Sequence, residues 1–191
     1  MFKQLFAIVF LAFISSSYSQ YISQGQCEDR NIKPAKDFPG VDYYGSLRRW
    51  FTVITSNIQI DCQYLNFERP SPASSNVISH QKYVPIKQWS KSTGVVTLAS
   101  GSGQGVIAIK FEKSVDPVQF TILGYNHDQF TIDYNCENID TKRRKEILFV
   151  RSRARIFSSE SAAEVEKILE DNGLGDIEKT YVVQDAGTCL F

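Results

Sequence analysis

The chain has 191 residues, of which 21 are basic and 21 acidic, and 13% are aromatic. This length suits one domain that can bury a sizeable core or surround a cavity. The near-zero net charge argues against the strongly basic face on which nucleic-acid binding depends, so nucleic acid is not an expected partner.

Residues 1–19 have the composition of a secretory signal peptide. Lys3 gives the segment a positive start, residues 5–14 are all apolar, and Ser17 and Ser19 are small residues at the positions that signal peptidase recognises. The apolar run is shorter than the roughly 20 residues that a membrane-spanning helix needs. We therefore expect cleavage after Ser19 and a secreted domain of residues 20–191. This domain would have no transmembrane segment and, without Lys3, a formal charge of −1.

The expected secreted domain contains four cysteines, Cys27, Cys62, Cys136 and Cys189. An even number of cysteines in a secreted chain predicts two disulfide bonds. The sequence alone leaves three pairings open.

Most of the chain consists of short β-rich segments separated by turn residues, which is typical of an antiparallel sandwich or an up-and-down barrel. The loop from Glu68 to Ser75 contains two prolines, which interrupt any strand. The eight predicted strands are Arg49–Ser56, Asp61–Phe67, Val77–Tyr83, a segment around Gly94–Ala99, Gly105–Glu112, Pro117–Tyr125, Phe130–Glu137 and Glu146–Arg153.

Apolar residues alternate with polar ones along the predicted strands, so each strand has one apolar face. Ile107, Ile109 and Phe111 share one face, and Lys110 and Glu112 share the other. The same alternation puts Val118, Phe120 and Ile122 on one face of the next strand.

One amphipathic helix follows the strands. Ser161 and Glu164 have the spacing of a capping box, and Gly173 stands where a helix C-cap is expected. The apolar stripe of this helix consists of Val165, Ile168 and Leu169, and Tyr181–Val183 is predicted as a last short strand.

Several local motifs favour ordinary structural roles over chemistry. The glycine-rich segment 101–105 precedes a strand and not a helix, so it predicts a hairpin turn and not a phosphate-binding loop. The basic run Lys142–Lys145 is expected to be a solvated hairpin tip. His127 is expected to be a solvated turn residue, whereas His80 lies mid-strand, where it could contact a ligand.

The residues give no sign of catalysis or of metal binding. The two histidines lack ligand-like spacing for zinc, and no Gly-x-Ser-x-Gly motif or unpaired thiol is evident. The chain is therefore not expected to be an enzyme or to hold a metal.

Three segments together resemble the conserved motifs of the lipocalins. Residues 49–53, shortly after Tyr43–Gly45, resemble the first-strand Gly-x-Trp motif, although Arg48 stands where the family has glycine. Residues 128–136 resemble the second motif, and residues 149–153, which end in Ser-Arg before the helix, resemble the third. The resemblance covers essentially all of the mature chain, and within the family it is greatest to the arthropod bilin-binding, insecticyanin and crustacyanin group.

The resemblance implies an all-β fold, namely an eight-stranded antiparallel up-and-down barrel, or calyx, with one C-terminal α-helix packed on its outside. It also implies disulfides between Cys27 and Cys136 and between Cys62 and Cys189. Trp50 and Arg153 would close one end of the barrel, and their cation–π stack would contribute about 1–2 kcal/mol.

On the family's register, a set of mostly apolar side chains would line the cup and bind the ligand, with a few polar groups to orient it. Thr131, Asp133 and Asn135 are polar residues at inward positions. They indicate a wet mouth, a more polar ligand, or a cavity partly filled by side chains. The predicted lining is Leu65, Phe67, Ile107, Ile109, Phe111, Val118, Phe120, Ile122, Ile147 and Phe149, with His80, Asp133, Asn135 and Arg151 as polar candidates.

The function that the resemblance implies is secreted transport of a small hydrophobic ligand, such as a bilin-type pigment, a retinoid or a fatty-acid-like molecule. No cofactor is required, although a bound bilin is possible in this family. The alternative is a secreted protein-binding lipocalin that acts as a decoy or inhibitor through loops such as Glu68–Ser75 and Lys142–Lys145. Homo-oligomer formation and the identity of any protein partner stay open.

Overall fold

A computed structural model describes residues 21–44, 49–56, 59–68, 71, 73–84, 86–99, 103–126 and 129–189. Within these ranges the chain is mostly β-structure with one α-helix after the last barrel strand. Short 3₁₀ turns occupy Cys27–Asp29 and Val41–Tyr44. The strands and the α-helix are β1 Tyr21–Gln24, β2 Lys36–Phe38, β3 Arg49–Ser56, β4 Ile60–Glu68, β5 Ser74–Tyr83, β6 Gln88–Leu98, β7 Gly103–Gln104, β8 Val106–Phe111, β9 Val118–Asn126, β10 Phe130–Asn138, β11 Arg143–Ser152, α1 Ser159–Asp171 and β12 Lys179–Tyr181.

Eight of these strands form a closed antiparallel barrel in the order β3-β4-β5-β6-β8-β9-β10-β11, and β11 pairs back with β3. Two further strands extend this sheet, with β1 on β11 and β12 on β3. The eight predicted strands and the barrel architecture are confirmed. Because the sheet closes on itself, the fold is a barrel and not a sandwich. Closure also leaves the eight barrel strands without an open edge.

The alternation of side chains divides the buried residues into two clusters. The inner cluster fills the barrel and includes Trp50, Phe67, Val77, Ile107 and Ile122. The outer cluster lies between the barrel wall and helix α1, and it includes Phe51, Ile132, Leu148, Val150 and Leu169. The two faces of the same strands thus supply two separate cores.

Helix α1 begins three residues earlier than the capping-box prediction requires, so that prediction is wrong. Ser158 is the N-cap, and its hydroxyl accepts a hydrogen bond from the Ser161 amide at 3.1 Å. Ser161 lies inside the helix, where it donates to the Gln129 side chain at 2.6 Å, and Glu164 is exposed. The predicted C-terminal signal is confirmed, because Gly173 adopts φ +67 and the Leu174 amide bonds to the Leu169 carbonyl at 2.8 Å.

The predicted apolar stripe of α1 packs on the barrel at a point where the wall has no side chain. Val165 and Leu169 are buried in the outer cluster and Ile168 packs against it. A Cβ on Gly124 of β9 would lie only 2.7 Å from the Ile168 side chain. Gly124 therefore allows the helix to approach the sheet backbone directly.

Some strand boundaries differ from the predicted ones. Strand β5 already starts at Ser74, so the Glu68–Ser75 loop is shorter than predicted, and β6 starts at Gln88 instead of near Gly94. In the first half of β6, Trp89 is the one large apolar residue, so apolar alternation gives no signal there, and its ladder with β5 holds it extended. Strand β12 covers Lys179–Tyr181 and not Tyr181–Val183.

The C-terminal segment is inserted into the barrel wall. Strands β3 and β4 pair only as far as Phe51 and Tyr64, and Cys62 then interrupts β4 with φ 55. Beyond that point β12 pairs with the second half of β3, and the Cys62 amide donates to the Val183 carbonyl at 2.8 Å. The Gln184 side-chain amide bonds both the Thr52 and the Gln63 carbonyls, at 2.8 and 2.7 Å. The segment thus joins two strands that have diverged.

A buried ion-pair network holds the N-terminal segment on the barrel. The Glu146 side chain is 0% exposed and pairs with Arg30 and Arg144, both at 2.9 Å. Ser23 and Tyr134 also donate hydrogen bonds to this carboxylate. Burial would raise the pKa of Glu146, but the hydrogen bonds from Arg30, Ser23, Tyr134 and Arg144 outweigh it and lower this pKa to about 2.

The predicted solvated tip at Lys142–Lys145 is therefore wrong for half of its residues. Arg144 is buried in the Glu146 network, and Lys145 pairs with Glu137. Arg143 does lie at the surface, where it pairs with Asp140 at 2.7 Å. A helix long and apolar enough to cross a bilayer does not occur among the described residues.

The Glu146 network predicts a strong effect of Glu146→Gln on stability. The variant removes the buried carboxylate that Arg30 and Arg144 share and leaves Arg30 with Asp176 alone, and we expect it to lower the free energy of unfolding by about 3 kcal/mol. The matched control is Glu137→Gln, which removes an exposed ion pair and should cost less than about 1 kcal/mol. Urea unfolding of the three proteins measures both values, and equal losses in the two variants would contradict a structural role for the network.

The lowered pKa of Glu146 also predicts how stability depends on pH. The unfolded state takes up a proton near the ordinary pKa of 4.5, whereas the folded state does so only near 2. Stability from this group is therefore complete above the first value and is lost as the pH falls towards the second. Urea unfolding between these pH values should show a steeper decline for the wild type than for Glu146→Gln, and parallel curves would refute the assignment.

Candidate ligand-binding cup

One end of the barrel is closed by a cluster of aromatic side chains. Tyr44 stacks on Phe67 with ring centroids 4.3 Å apart, and the Trp50 indole donates to the Tyr44 carbonyl at 3.0 Å. The Arg153 guanidinium lies 3.8 Å from the centre of the Trp50 ring, in the stack that the resemblance implies. We call this region the closed end, and Trp50 and Arg153 seal it.

Both disulfides that the resemblance implies are present. Cys27 is bonded to Cys136, and Cys62 is bonded to Cys189. The first bridge ties the N-terminal segment to β10, and the second ties the C-terminal segment to β4. Each bridge closes a loop of more than a hundred residues, which restricts the unfolded chain strongly.

The middle of the barrel is occupied by a buried ion pair. Arg151 and Asp133 are 3% and 1% exposed, and the two side chains are paired. Thr131 donates to Asp133 at 3.0 Å, and the Arg151 guanidinium lies 4.6 Å from the centre of the Phe149 ring. Burial lowers the pKa of Arg151 to about 10, which leaves it charged at neutral pH. The side chains of Thr131 and Asp133 therefore fill part of the barrel. This agrees with one of the three interpretations of the inward polar residues, namely a cavity partly filled by side chains.

Tyr44 reaches this polar layer from the closed end. Its hydroxyl is fully buried, and burial raises the pKa of Tyr44, so the group stays protonated. Asn135 lies nearer the opposite end, where its amide donates to the Gln119 carbonyl at 2.9 Å. The inward polar residues of β10 are therefore bonded within the protein.

The other end of the barrel is the candidate cup. Its apolar side comes from β8, β9 and β11, whose inward residues include Phe111, Phe120, Ile147 and Phe149. Phe111, Ile147 and Phe149 are only partly buried, although they pack against the inner cluster. They are therefore the apolar surface that a ligand entering from this end would cover.

A row of neutral polar side chains crosses the inner face of β3, β4 and β5. Thr52 donates to Gln63 at 2.5 Å, Gln63 donates to Gln81 at 2.8 Å, and Gln81 donates to the Tyr83 hydroxyl at 2.6 Å. Sequence reasoning missed this amide row. It could have been found, because Gln63 has the same strand parity as Leu65, and Gln81 has the same parity as Val77.

The predicted lining residues fall at different depths. Val118 is exposed at the beginning of β9, and Phe111, Ile147 and Phe149 are partly buried at the open end. The fully buried ones, all in the inner cluster, are Leu65, Phe67, Ile107, Ile109, Phe120 and Ile122. The structure thus brings all of the predicted apolar lining residues except Val118 into the inner cluster or against it.

His80 does not face the cup, which corrects the sequence-based interpretation. It lies opposite Tyr64, and the two rings stack on the outer face at 4.6 Å. Val77 and Ser79 point inward, so the alternation along β5 turns His80 outward. Partial burial, with smaller contributions from Lys91 and Arg49, lowers the pKa of His80 and favours its neutral form. His127 lies outside the described residues.

Two surface hollows lie outside the cup and carry no recognisable chemistry. One, of about 410 Å³, is on the outer wall around Gly94, and the other, of about 330 Å³, is beside the Cys27–Cys136 bridge. In the described parts of the chain, no three His, Cys, Asp or Glu side chains converge as metal ligands do.

Comparison with known proteins gives matches in structure but not in sequence. No family model and no curated protein matches the chain. Insecticyanin from the tobacco hornworm Manduca sexta superposes with a TM-score of 0.74 at 16% identity, over 90% of this chain and 93% of that one. Lobster apocrustacyanin A1 gives a TM-score of 0.65 at 14% identity, over 82% and 93%.

The chain has the lipocalin fold. A biogenic amine-binding protein also matches, with a TM-score of 0.58 at 12% identity over 83% of this chain and 92% of that one. At these identities the likeness establishes the fold alone.

The buried pair inside the lipocalin barrel predicts a non-additive response to mutation. Arg151→Met leaves Asp133 charged and unpaired, and we expect it to lower the free energy of unfolding by about 3 kcal/mol or more. The double variant Arg151→Met with Asp133→Leu removes both charges and should recover most of that loss. Urea unfolding of the single and double variants tests this, and additive losses would show that the two side chains are not coupled.

Proposed function

We propose that this protein is a secreted carrier that binds one small, largely apolar molecule in the cup. The observation that carries the proposal is the partly buried apolar surface of Phe111, Ile147 and Phe149 on the inner face of a barrel closed at its other end. Covering such surface contributes roughly 25 cal/mol per Å² removed from water. An eight-stranded barrel is wide enough to hold one small ligand.

The filled interior limits how deep the ligand lies. The stacked rings of Tyr44 and Phe67 fill the closed end of the barrel, and the Arg151–Asp133 pair fills its middle. We therefore place the ligand against the open half. The resemblance suggests a bilin-type pigment, a retinoid or a fatty-acid-like molecule, and a biogenic amine-binding protein with the same fold supports small-molecule binding in general.

Secretion is part of the proposal. The composition of residues 1–19 and the two disulfides both support a mature domain of residues 20–191 that works in an oxidising compartment. The proposed function requires no cofactor and assigns no catalytic role to any side chain.

A second candidate function is binding of another protein through the rim of the cup. Large apolar side chains at Val84, Ile86, Trp89 and Val115 are between 42% and 90% exposed. They lie at or near the β5–β6 and β8–β9 connections, which adjoin the open end. Clusters of exposed apolar residues mark contact surfaces, so this observation favours the rim over the Glu68–Ser75 loop, whose flanking strand ends, Glu68 of β4 and Ser74 of β5, lie on the side of the closed end.

Binding of a neutral apolar fluorophore tests the carrier function. We expect N-phenyl-1-naphthylamine to bind with one-to-one stoichiometry and to fluoresce more strongly when bound. Ile147→Lys places a charge on the inner face of the cup and should weaken binding at least tenfold, or about 1.4 kcal/mol. The control Val95→Lys makes the same change on the outer wall and should stay within about twofold of the wild type.

Failure of the wild type to bind, or equal losses in both variants, would contradict a binding site in the cup. Native mass spectrometry of protein secreted by its own source, with an absorption spectrum of the same sample, then identifies the mass and colour of any natural ligand. Protein that is empty but captures a partner through the rim would favour the second candidate.

A further inference from the structure

We propose that the cup selects uncharged molecules that carry hydrogen-bonding groups along one edge, and that it rejects ionised ligands such as fatty-acid carboxylates. The inference rests on the proposed carrier function and specifies its ligand class. It follows from the distribution of polarity around the inner face of the barrel.

One side of the cup is mainly apolar, although Ser90 and Ser92 of β6, which lie opposite Gln81 and Ser79, are polar. Strands β6, β8 and β9 contribute Val96, Ile109, Phe111 and Phe120 to the inner cluster. Val96 and Ile109 lie opposite each other in adjacent strands, as do Ile107 and Phe120. This continuous apolar surface suits the hydrophobic face of a ligand.

The other side of the cup is the amide row on β3, β4 and β5. Its members Thr52, Gln63, Gln81 and Tyr83 bear no charge at neutral pH and are joined by hydrogen bonds of 2.5–2.8 Å. A glutamine amide offers two donors and two acceptor lone pairs. Gln81 uses one donor and one acceptor within the row, and it is only partly buried, so one of each can serve a ligand.

The charged groups on the inner face are already neutralised within the protein. Among the described residues, Arg151 with Asp133 is the buried ion pair at inward positions of β10 and β11, whereas the Lys145–Glu137 and Arg143–Asp140 pairs lie at the exposed rim. Inside the cup, a ligand carboxylate would have to displace Asp133 from Arg151 or stay buried without a partner. Both outcomes are costly, because an unpaired charge loses its hydration.

The two sides together fit an amphipathic, uncharged ligand. Its apolar face would contact β6, β8 and β9, and its carbonyl, amide or hydroxyl groups would bond the amide row. A purely apolar ligand would leave the remaining hydrogen-bonding groups of Gln81 without water, which lowers its affinity. An ionised ligand would suffer the larger penalty of an unmatched charge.

Three naphthalene derivatives of similar size test this selectivity. Displacement of N-phenyl-1-naphthylamine from the wild type at neutral pH compares 2-naphthamide, the 2-naphthoate anion and 2-ethylnaphthalene. We expect 2-naphthamide to bind at least tenfold more tightly than 2-naphthoate, and also more tightly than 2-ethylnaphthalene.

The variant Gln81→Leu should weaken 2-naphthamide about tenfold and leave 2-ethylnaphthalene unchanged or tighter. The matched control is Gln119→Leu, a glutamine on the outer face of β9, which should alter none of the three affinities. Unchanged binding of N-phenyl-1-naphthylamine by both variants would show that the barrel and its cup are intact.

The outcomes separate this inference from the carrier function. Tightest binding of 2-naphthoate, or equal effects of Gln81→Leu on all three compounds, would overturn the selectivity while the carrier function stands. If neither N-phenyl-1-naphthylamine nor any naphthalene derivative binds the wild type, the carrier function itself fails and the selectivity fails with it.

Discussion

Strand β3 is the element on which the rest of this barrel depends, because three other strands form hydrogen bonds with it. Its first half pairs with β4, its second half pairs with β12, and β11 pairs with it from the opposite side. The β11–β3 pairing closes the sheet, and closure separates an inner from an outer face. Trp50 at the start of β3 and Thr52 two residues later then occupy the closed end and the amide row, so one strand anchors both the floor and a wall of the cup.

The interior of this barrel is more polar than its apolar strands suggest. A buried ion pair usually costs about as much in lost hydration as it recovers in attraction, so the Arg151–Asp133 pair is weak evidence for stability. Its structural effect is to fill the barrel at mid-depth and to leave the open half as the accessible space. The pair therefore limits the size of the molecule that we propose binds in the cup, in addition to its place in the fold.

The fold could be predicted because it depends on the alternation of apolar and polar residues, which recurs along the strands. The positions of several individual side chains depend instead on single contacts between residues far apart in the chain. Alternation along Ile107–Phe111 and Val118–Ile122 predicts inward faces that the structure confirms. The burial of Arg144 could not be predicted from such a pattern. It depends on the ion pair with Glu146 and on a hydrogen bond to Gln26, which is more than a hundred residues away in the chain. The face of β5 on which His80 lies was predicted wrongly, because the residues around it do not alternate clearly between apolar and polar. A shift of one residue in the predicted register is enough to turn a side chain to the opposite face.

The insertion of the C-terminal segment between β3 and β4 has a consequence for the order of assembly during synthesis. Strand β12 emerges from the ribosome after every barrel strand, yet it supplies the partner for the second half of β3. Until then, the backbone groups of Ile54–Ser56 on that side, and the Cys62 amide, lack the bonds that they have in the finished protein. The cup wall is therefore completed only after translation of the barrel, and a nascent chain halted before β12 would expose an unpaired strand edge.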